Sequence, residues 1–558
     1  MNLFGVASFA CLLLLLGYLL YGKLLAHWLN LNGSRPTPAQ RINDGVDYVP
    51  AKASLLLGQH FSAIAAAGPI VGPILAALWF GWLPALLWIV LGAIFLGAVH
   101  DFFSLVSSVQ HDARSIVALV HEHLGPQAHL LFMGFVWISL IYVIVAFADL
   151  TSSSFVEPTY GGAVAASSSL YLVAAVAMGL CLYRLRMPLG IATAIFLPIV
   201  GLIIWFGQMI PLTIPPLFGF RPQLLWNIVI LGYCFVASVI PLWLLLQPRG
   251  YLGGFFLYVT LAAGVIGLFL GGDRVHYPAF LGWTSRHGLP LFPMLFVTVA
   301  CGACSGFHGI VSSGTTSKQI AKESDCRLVG YGGMLLEGLV AVVALATVML
   351  LAPGDPMTVQ SPDRIYASGL SHFVERFGLN GEFAHSFALL AFATFIYDTL
   401  DVATRLGRYV LQELTGWKGR WGGIGATLAT LAIPTLSISW TVKDLSGNIV
   451  PAWKVFWTLF GTSNQLLAAL TLMTITVWLK RTRRPWLISA LPAAFMLVMT
   501  LWSLGMTIGP WIGALCLGQL TMNWIALIAL ILLGLAVLVV VEALKALSRH
   551  STVSAGSR

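Results

Sequence analysis

The stretch GQHFSAIAAAGPIVGP, Gly58–Pro73, sets two Gly-Pro pairs four residues apart inside an apolar run. Each proline removes an amide donor and each glycine admits non-helical torsions, so the stretch predicts a helix broken partway along its length. The rest of the chain says what surrounds that break. Of 558 residues, 58% are hydrophobic and only 9% are Asp, Glu, Lys or Arg, against about 25% charged in soluble domains. With a mean hydropathy of +0.90, a water-soluble enzyme is excluded. The apolar residues suffice for about fifteen spans of about 20 residues each, and no alternating ten-residue segments suggest a barrel. The reading is an all-α polytopic membrane protein of about fifteen transmembrane helices.

Broken backbone at membrane depth is tolerated only where it is buried in protein or lines a water-filled cavity. Its freed carbonyls and amides suit ions and carboxylates. Gly68, Pro69, Gly72 and Pro73 are therefore predicted to contact substrate, and His60, about two turns earlier, to border the same cavity.

Basic residues set the expected orientation. Most of the 29 Lys and Arg fall in loops after odd-numbered helices or at the C-terminus, with Lys480, Arg481, Arg483 and Arg484 the densest group. Positive charge stays cytoplasmic, which predicts the N-terminus outside and the C-terminus inside. The net charge of +9 is read as topology control and not as a nucleic-acid footprint. Leu3–Leu20 lacks a preceding positive charge and a small-residue cleavage site, so it is expected to be a retained helix. The polar connection 353–383 is expected to form a partly ordered lid, and residues 548–558 a disordered cytoplasmic tail.

A second run, Cys301–Thr316 (CGACSGFHGIVSSGTT), places Cys301, Ser305, His308 and Ser312 on one helical face, with Ser313 and Thr316 beside it. Glycines let a neighbouring helix approach this face. Ser305 and His308 are candidate substrate contacts. Ser312, Ser313 and Thr316 offer hydroxyl ligands for a hard cation such as sodium, opposite carbonyls near Ala66, while a histidine suits a coupled proton. A redox role for Cys301 and Cys304 inside a span is set aside. A third run, Tyr397–Arg408, puts Asp398, Asp401, Arg405 and Arg408 on one face, with Arg405 the expected partner of Asp401 at i+4. Asp398, Asp401 and Arg405 are read either as ion- or proton-coupling groups or as a structural ion pair near the cytoplasmic end. His100-Asp101 raises the same question near a helix end. Asn464 and Gln465, in an apolar span, either join helices or line a cavity.

Together these runs resemble the carbon starvation protein A family, CstA. The resemblance rests on GQHFSAIAAAGPIVGPILAA at 58–77, AVHDFFSL at 98–105, PLWLLLQPRGYL at 241–252, CGACSGFHGIVSSGTTSK at 301–318, GYGGMLLE at 330–337, DTLDVATRLGRYVLQE at 398–413 and LFGTSNQLLAA at 459–469. Members commonly carry a second histidine where this chain has Gln59, and an aspartate where it has Gly250. The resemblance implies an inner-membrane secondary carrier with a LeuT-like core of two inverted five-helix repeats. On that scheme residues 1–52 hold an extra helix and loop, 53–413 the core (about 53–208 and 224–413), and 414–547 additional helices. The second discontinuous helix would then break around Ser238–Pro241.

The function expected from the resemblance is import of peptides during carbon starvation. A carrier of pyruvate or a similar monocarboxylate is the alternative within transport, and a membrane sensor without transport the alternative from another class. No HExxH, GxSxG or Walker motif supports an enzyme. No cofactor is expected beyond a coupled proton or sodium ion, with protons favoured, and the partners are a small-molecule substrate and the bilayer.

Overall fold

The structure is a computed structural model, and it describes residues 2–44, 48–217, 219–241, 243–439, 451–518 and 523–548. Helices dominate, and among the described residues β-pairing is confined to isolated bridges. Thirteen helices are long and apolar enough to cross a membrane, or fourteen with the bent pair Ala53–Ile64 and Gly68–Phe80 counted as one span. The fifteenth expected span, near 290–313, is divided into pieces of 8 and 6 residues. This agrees with a multi-pass membrane protein.

Element order recurs along the chain. After α1 (Leu3–Trp28) come the bent pair α2 (Ala53–Ile64) and α3 (Gly68–Phe80), then α4 (Trp82–Gln110), the short α5 (Ile116–Leu124) and the long α6 (Pro126–Phe155). Helices α7 (Gly161–Tyr183), α8 (Leu189–Gly207), α9 (Pro222–Val239) and α10 (Leu246–Leu270) follow. The opening sequence then returns as a broken pair, α11 (Leu291–Thr298) and α12 (Gly306–Val311), a long α13 (Glu323–Met349), a short α14 (Pro362–Glu375) and a long α15 (Gly381–Thr415). Both α4 and α13 contain one π-helical stretch, at Ala93–Gly97 and Arg327–Gly332. Both short helices start after a serine at the N-cap, Ser115 and Ser361. The chain ends with α16 (Gly419–Ser439), α17 (Ala452–Arg481), α18 (Leu487–Cys516) and α19 (Trp524–Ser548).

Two expectations are corrected here. The second broken span is α11/α12, parted at 299–305, and not the helix near Ser238–Pro241. There α9 ends at Val239 and α10 begins at Leu246 as a separate span. Pro241 therefore sits in a turn between helices, where its missing amide costs nothing. The 353–383 connection contains the regular helix α14, whose apolar face packs on α3, α10, α13 and α15. The tail expected to be disordered, from residue 549 onward, lies outside the described residues.

Burial separates inner from outer helices. In α13, α15 and α17 about nine-tenths or more of the apolar window is buried, whereas α8 buries 22% and α19 28%. The broken pairs pack on these inner helices, α3 on α13 and α12 on α17, and α6 packs on α15.

Candidate functional site

The first break is short. α2 ends at Ile64, Ala65 takes an extended ψ of 90°, and α3 resumes at Gly68 with Pro69 at its start, bent by 52° from α2. A β-carbon on Gly68 would stand 2.3 Å from Cys301 Sγ, and one on Gly72 would stand 2.5 Å from the Thr298 carbonyl oxygen. The two glycines thus let α3 close directly onto the second break. Gly68, Pro69, Gly72 and Pro73 are all buried in that contact. None of the four is among the residues lining the cavity between α2, α10 and α15; among the described residues their contacts are with the second break. Ala66 is buried as well.

The second break is longer and is held by side chains from other helices. The Asn464 carboxamide oxygen accepts from the Phe307 amide at 3.0 Å, so α17 caps the start of α12, where Ser305 makes no side-chain cap of its own. Its nitrogen donates to Ser305 Oγ at 3.0 Å. One residue further on, Gln465 Nε2 donates to the Phe296 carbonyl at 2.7 Å, and Trp88 Nε1 donates to the Val299 carbonyl at 3.1 Å. Backbone groups that lose intrahelical partners at a break are thereby paired. Asn464 and Gln465 act as helix joints, one of the two expected roles.

Just inside α12, ionisable groups from three helices meet. His308 Nδ1 lies 2.8 Å from Asp101 Oδ2 and its Nε2 lies 3.1 Å from Glu337 Oε2; His100 Nδ1 lies 2.8 Å from Asp101 Oδ1. All four side chains are fully buried. Gly309 permits the approach, because a β-carbon there would stand 3.0 Å from the His100 ring. The expected substrate residue His308 thus belongs to a closed charge cluster. Glu337 was missed in the sequence, although a lone carboxylate in an apolar run is a recognisable signal.

The hydroxyls beyond His308 divide. Ser313 donates to the Gly309 carbonyl at 2.7 Å and accepts from the Ile116 amide at 2.9 Å, which ties it to α5 and not to the α2 carbonyls. The Ser312 hydroxyl is buried without a hydrogen-bond partner. Thr316 Oγ1 does reach α2, lying 3.0 Å from His60 Nδ1.

His60 and Thr316 border a cavity of about 150 Å³ between α2, α10, the 315–319 segment and α15, room for several water molecules. Gln59, Ser62, Gly250 and Asp401 also line it. Both positions at which the chain departs from its resemblance, Gln59 and Gly250, therefore face the same space. Asp401 is not partnered by Arg405. It pairs with Arg249 of α10 and accepts from Tyr233 Oη at 2.7 Å. Arg405 instead donates to the Ala237 and Ile240 carbonyls at 2.6 and 2.7 Å, and Arg408 to Ser238 at 2.6 Å, closing the end of α9. The i+4 spacing that suggested Arg405 loses to a cation delivered from another helix. The side chain of Asp398 lies outside those described.

A buried carboxylate on α6 shows the contrast. Asp149 accepts from Gln223 and Asn227 at 3.0 and 3.1 Å and from the Trp453 amide at 2.9 Å, capping α17. Its acceptor positions are spent on structure, whereas Asp401 Oδ1 has no hydrogen-bond partner beside the cavity.

A sequence profile described as "Carbon starvation protein CstA" matches residues 3–367 and 357–503. The chain belongs to the CstA family. Among CstA relatives, it is 32% identical to the "Peptide transporter CstA" of Escherichia coli (strain K12), over 87% of this chain and 78% of that one. The "Peptide transporter CstA" of Bacillus subtilis (strain 168) is 31% identical over 89% of each chain. The "Pyruvate/proton symporter BtsT" of Escherichia coli (strain K12) is 31% identical over 86% of this chain and 78% of that one. Among solved structures, a manganese transporter of Eremococcus coleocola aligns with a TM-score of 0.44 at 14% identity, over 90% of this chain and 99% of that one. As a CstA-family protein the chain is a multi-pass membrane transporter.

Proposed function

We propose that the chain imports peptides by proton symport across the inner membrane, with the N-terminus outside and the C-terminus cytoplasmic. The observation that carries the coupling is His308 held between the Asp101 and Glu337 carboxylates, 2.8 and 3.1 Å away, away from water. An imidazole between two carboxylates forms a small, closed set of proton positions on α4, α12 and α13, the helices around the second break. Ser313 does not support the sodium scheme, since its hydroxyl is engaged with α5 and with the Gly309 carbonyl.

Asp401 supports a peptide over a monocarboxylate. Asp401 lines the cavity with Gln59 and His60, its Oδ1 has no hydrogen-bond partner, and its carboxylate is an acceptor for a peptide's ammonium, which pyruvate does not have. The recurring element order supports two repeats at about 53–270 and 291–481, with the α7–α8 hairpin inserted in the first. Six spans (α4, α6, α7, α8, α9 and α10) lie between the two broken pairs, and an even number makes the pairs run in opposite directions.

Proteoliposome uptake of a labelled dipeptide and of pyruvate tests both parts. Dipeptide should accumulate under an inward pH gradient and collapse with a protonophore. Glu337→Gln should reduce the accumulation ratio to about 1 while exchange persists, and Asp401→Asn should raise the dipeptide KM. Uptake that requires sodium and ignores the protonophore overturns the coupling, and uptake of pyruvate but not dipeptide overturns the substrate.

A further inference from the structure

A second group of ionisable side chains lies away from the breaks, at the elbow between α4 and α5. His111 ends α4. Asp112 and Ala113 then adopt left-handed torsions, φ 60° and 56°, which reverse the chain sharply. The reversal lays α5 back so that its last turn, carrying Glu122 and His123, comes over His111. His111 Nε2 stands 3.3 Å from His123 Nε2 and 3.9 Å from Glu122 Oε1. Among the described residues this is the one group of three such side chains whose donor atoms lie within 4.8 Å of one another.

We propose that His111, Glu122 and His123 form a binding site for a divalent transition metal of the zinc class. Two nitrogen ligands at about 2.0–2.1 Å in tetrahedral array stand about 3.3–3.4 Å apart, which is the separation of the two Nε2 atoms. His111 Nδ1 lies 2.7 Å from the Ser107 carbonyl. That contact places the ring proton on Nδ1 and turns the Nε2 lone pair toward His123, the usual outer support of a metal-bound imidazole. Glu122 is half-exposed and pairs through its other oxygen, Oε2, with Arg114 at 3.4 Å. Its Oε1 stands 3.9 Å from His111 Nε2, and one donor atom from each of the three side chains lies within 4.8 Å of the others, so a small rotation of this half-exposed side chain completes a two-imidazole, one-carboxylate set. Such a set leaves a fourth position for water and suits zinc over magnesium or calcium, which prefer all-oxygen shells.

Bound metal would clamp the end of α4 to α5. The same elbow is joined to the second broken span, since the Ile116 amide donates to Ser313 Oγ at 2.9 Å. The site thus provides a metal-dependent brace on the element that holds the far end of α12. It is separate from the cavity and from the His308 cluster, and does not depend on what the chain carries.

Equilibrium binding of Zn²⁺ to the purified full chain in detergent, against a competing chelator, tests the site. One Zn²⁺ per chain should bind, with a Zn²⁺-induced rise in thermal stability. His111→Gln and His123→Gln should each weaken binding about tenfold or more and abolish that rise. His121→Gln with His129→Gln, a histidine pair on α5 and α6 with ring centroids 5.1 Å apart, should leave both unchanged. Melting without metal shows whether each variant is folded. Absence of Zn²⁺ binding by the unaltered chain, or binding lost with His121 and His129 in place of His111 and His123, overturns the proposal.

Discussion

The two broken spans solve one problem in different ways. At the first, three residues are unwound and glycines in α3 let helix backbone press against the neighbouring break. Among the described residues no side chain hydrogen-bonds to the backbone of 65–67. At the second, seven residues part α11 from α12 (299–305), and Asn464, Gln465 and Trp88 pair with its loose backbone groups. Glycine contributes there too, since a β-carbon on Gly306 would stand 2.4 Å from the Asn464 carbonyl. A short break is closed by approach; a long one needs polar side chains from elsewhere. The lesson is that Gly-Pro pairs mark where a helix bends but not which of its faces meets substrate.

The difference can be broken most severely at Gly72. Gly72→Ala puts a β-carbon 2.5 Å from a backbone oxygen that cannot swing aside, a cost on the order of 3 kcal/mol or more. Little monodisperse protein should survive gel filtration; a well-folded Gly72→Ala variant would show that the first break is looser than its packing implies. Asn464→Leu strands the Phe307 amide and removes the Ser305 contact, at about 2–3 kcal/mol. Gln465→Leu strands one carbonyl and should cost less, about 1–2 kcal/mol. Melting in detergent should rank the pair in that order, and equal midpoints for both variants and the parent would refute the capping role. Arg405→Lys keeps the charge but not the forked contact to two carbonyls. It should lower stability by about 1 kcal/mol and leave dipeptide KM unchanged, because Arg249 and not Arg405 faces Asp401.

The smallest effect lies far from either break and serves as a baseline for pH dependence. Burial pushes the Asp273 carboxyl up, but Arg376 Nη2 at 2.6 Å and His372 beside it more than offset this and hold it below the usual carboxylate range. A depressed folded value means stability that is present above the unfolded carboxyl's pKa, near 4, and lost as pH falls through the lower folded value. Arg376→Gln should therefore lower stability at pH 7, read from the melting midpoint, by less than about 1 kcal/mol. The gap to the parent should close below about pH 4. A gap that widens on acidification would contradict the pairing.

How much of the site was legible follows from the kind of signal each residue carries. Local patterns did well: the Gly-Pro doublet marked a true bend, and polar residues in apolar runs picked out His60, His308, Asp401, Asn464 and Gln465, all of which meet partners across helices. Pairings failed where a local candidate competed with a distant one. Arg405 is four residues from Asp401 in sequence, yet Arg249 from α10 takes the carboxylate. The second break was placed around Ser238–Pro241 because the repeat scheme implied by the resemblance made the helix there the second discontinuous one, while the actual break at 299–305 contains no proline and is held open by α17. Glu337 carried the signal of a lone carboxylate in an apolar run, but only the packing of α13 brought it to His308.

Composition alone determined that this chain lives in a bilayer, because 58% apolar residues with 9% charged ones leave no polar shell to face water. Helical structure followed, since backbone in lipid must satisfy its own hydrogen bonds. Periodicity and Gly-Pro punctuation then located most spans and one of the two breaks. Only the tertiary structure decided which charges meet, which hydroxyls are engaged and where a cavity opens. Those outcomes depend on contacts between residues far apart in the chain, such as His308 with Asp101 and Glu337. In a medium that does not solvate charge, an ionisable group takes whatever partner packing brings within reach, and sequence spacing does not encode that distance.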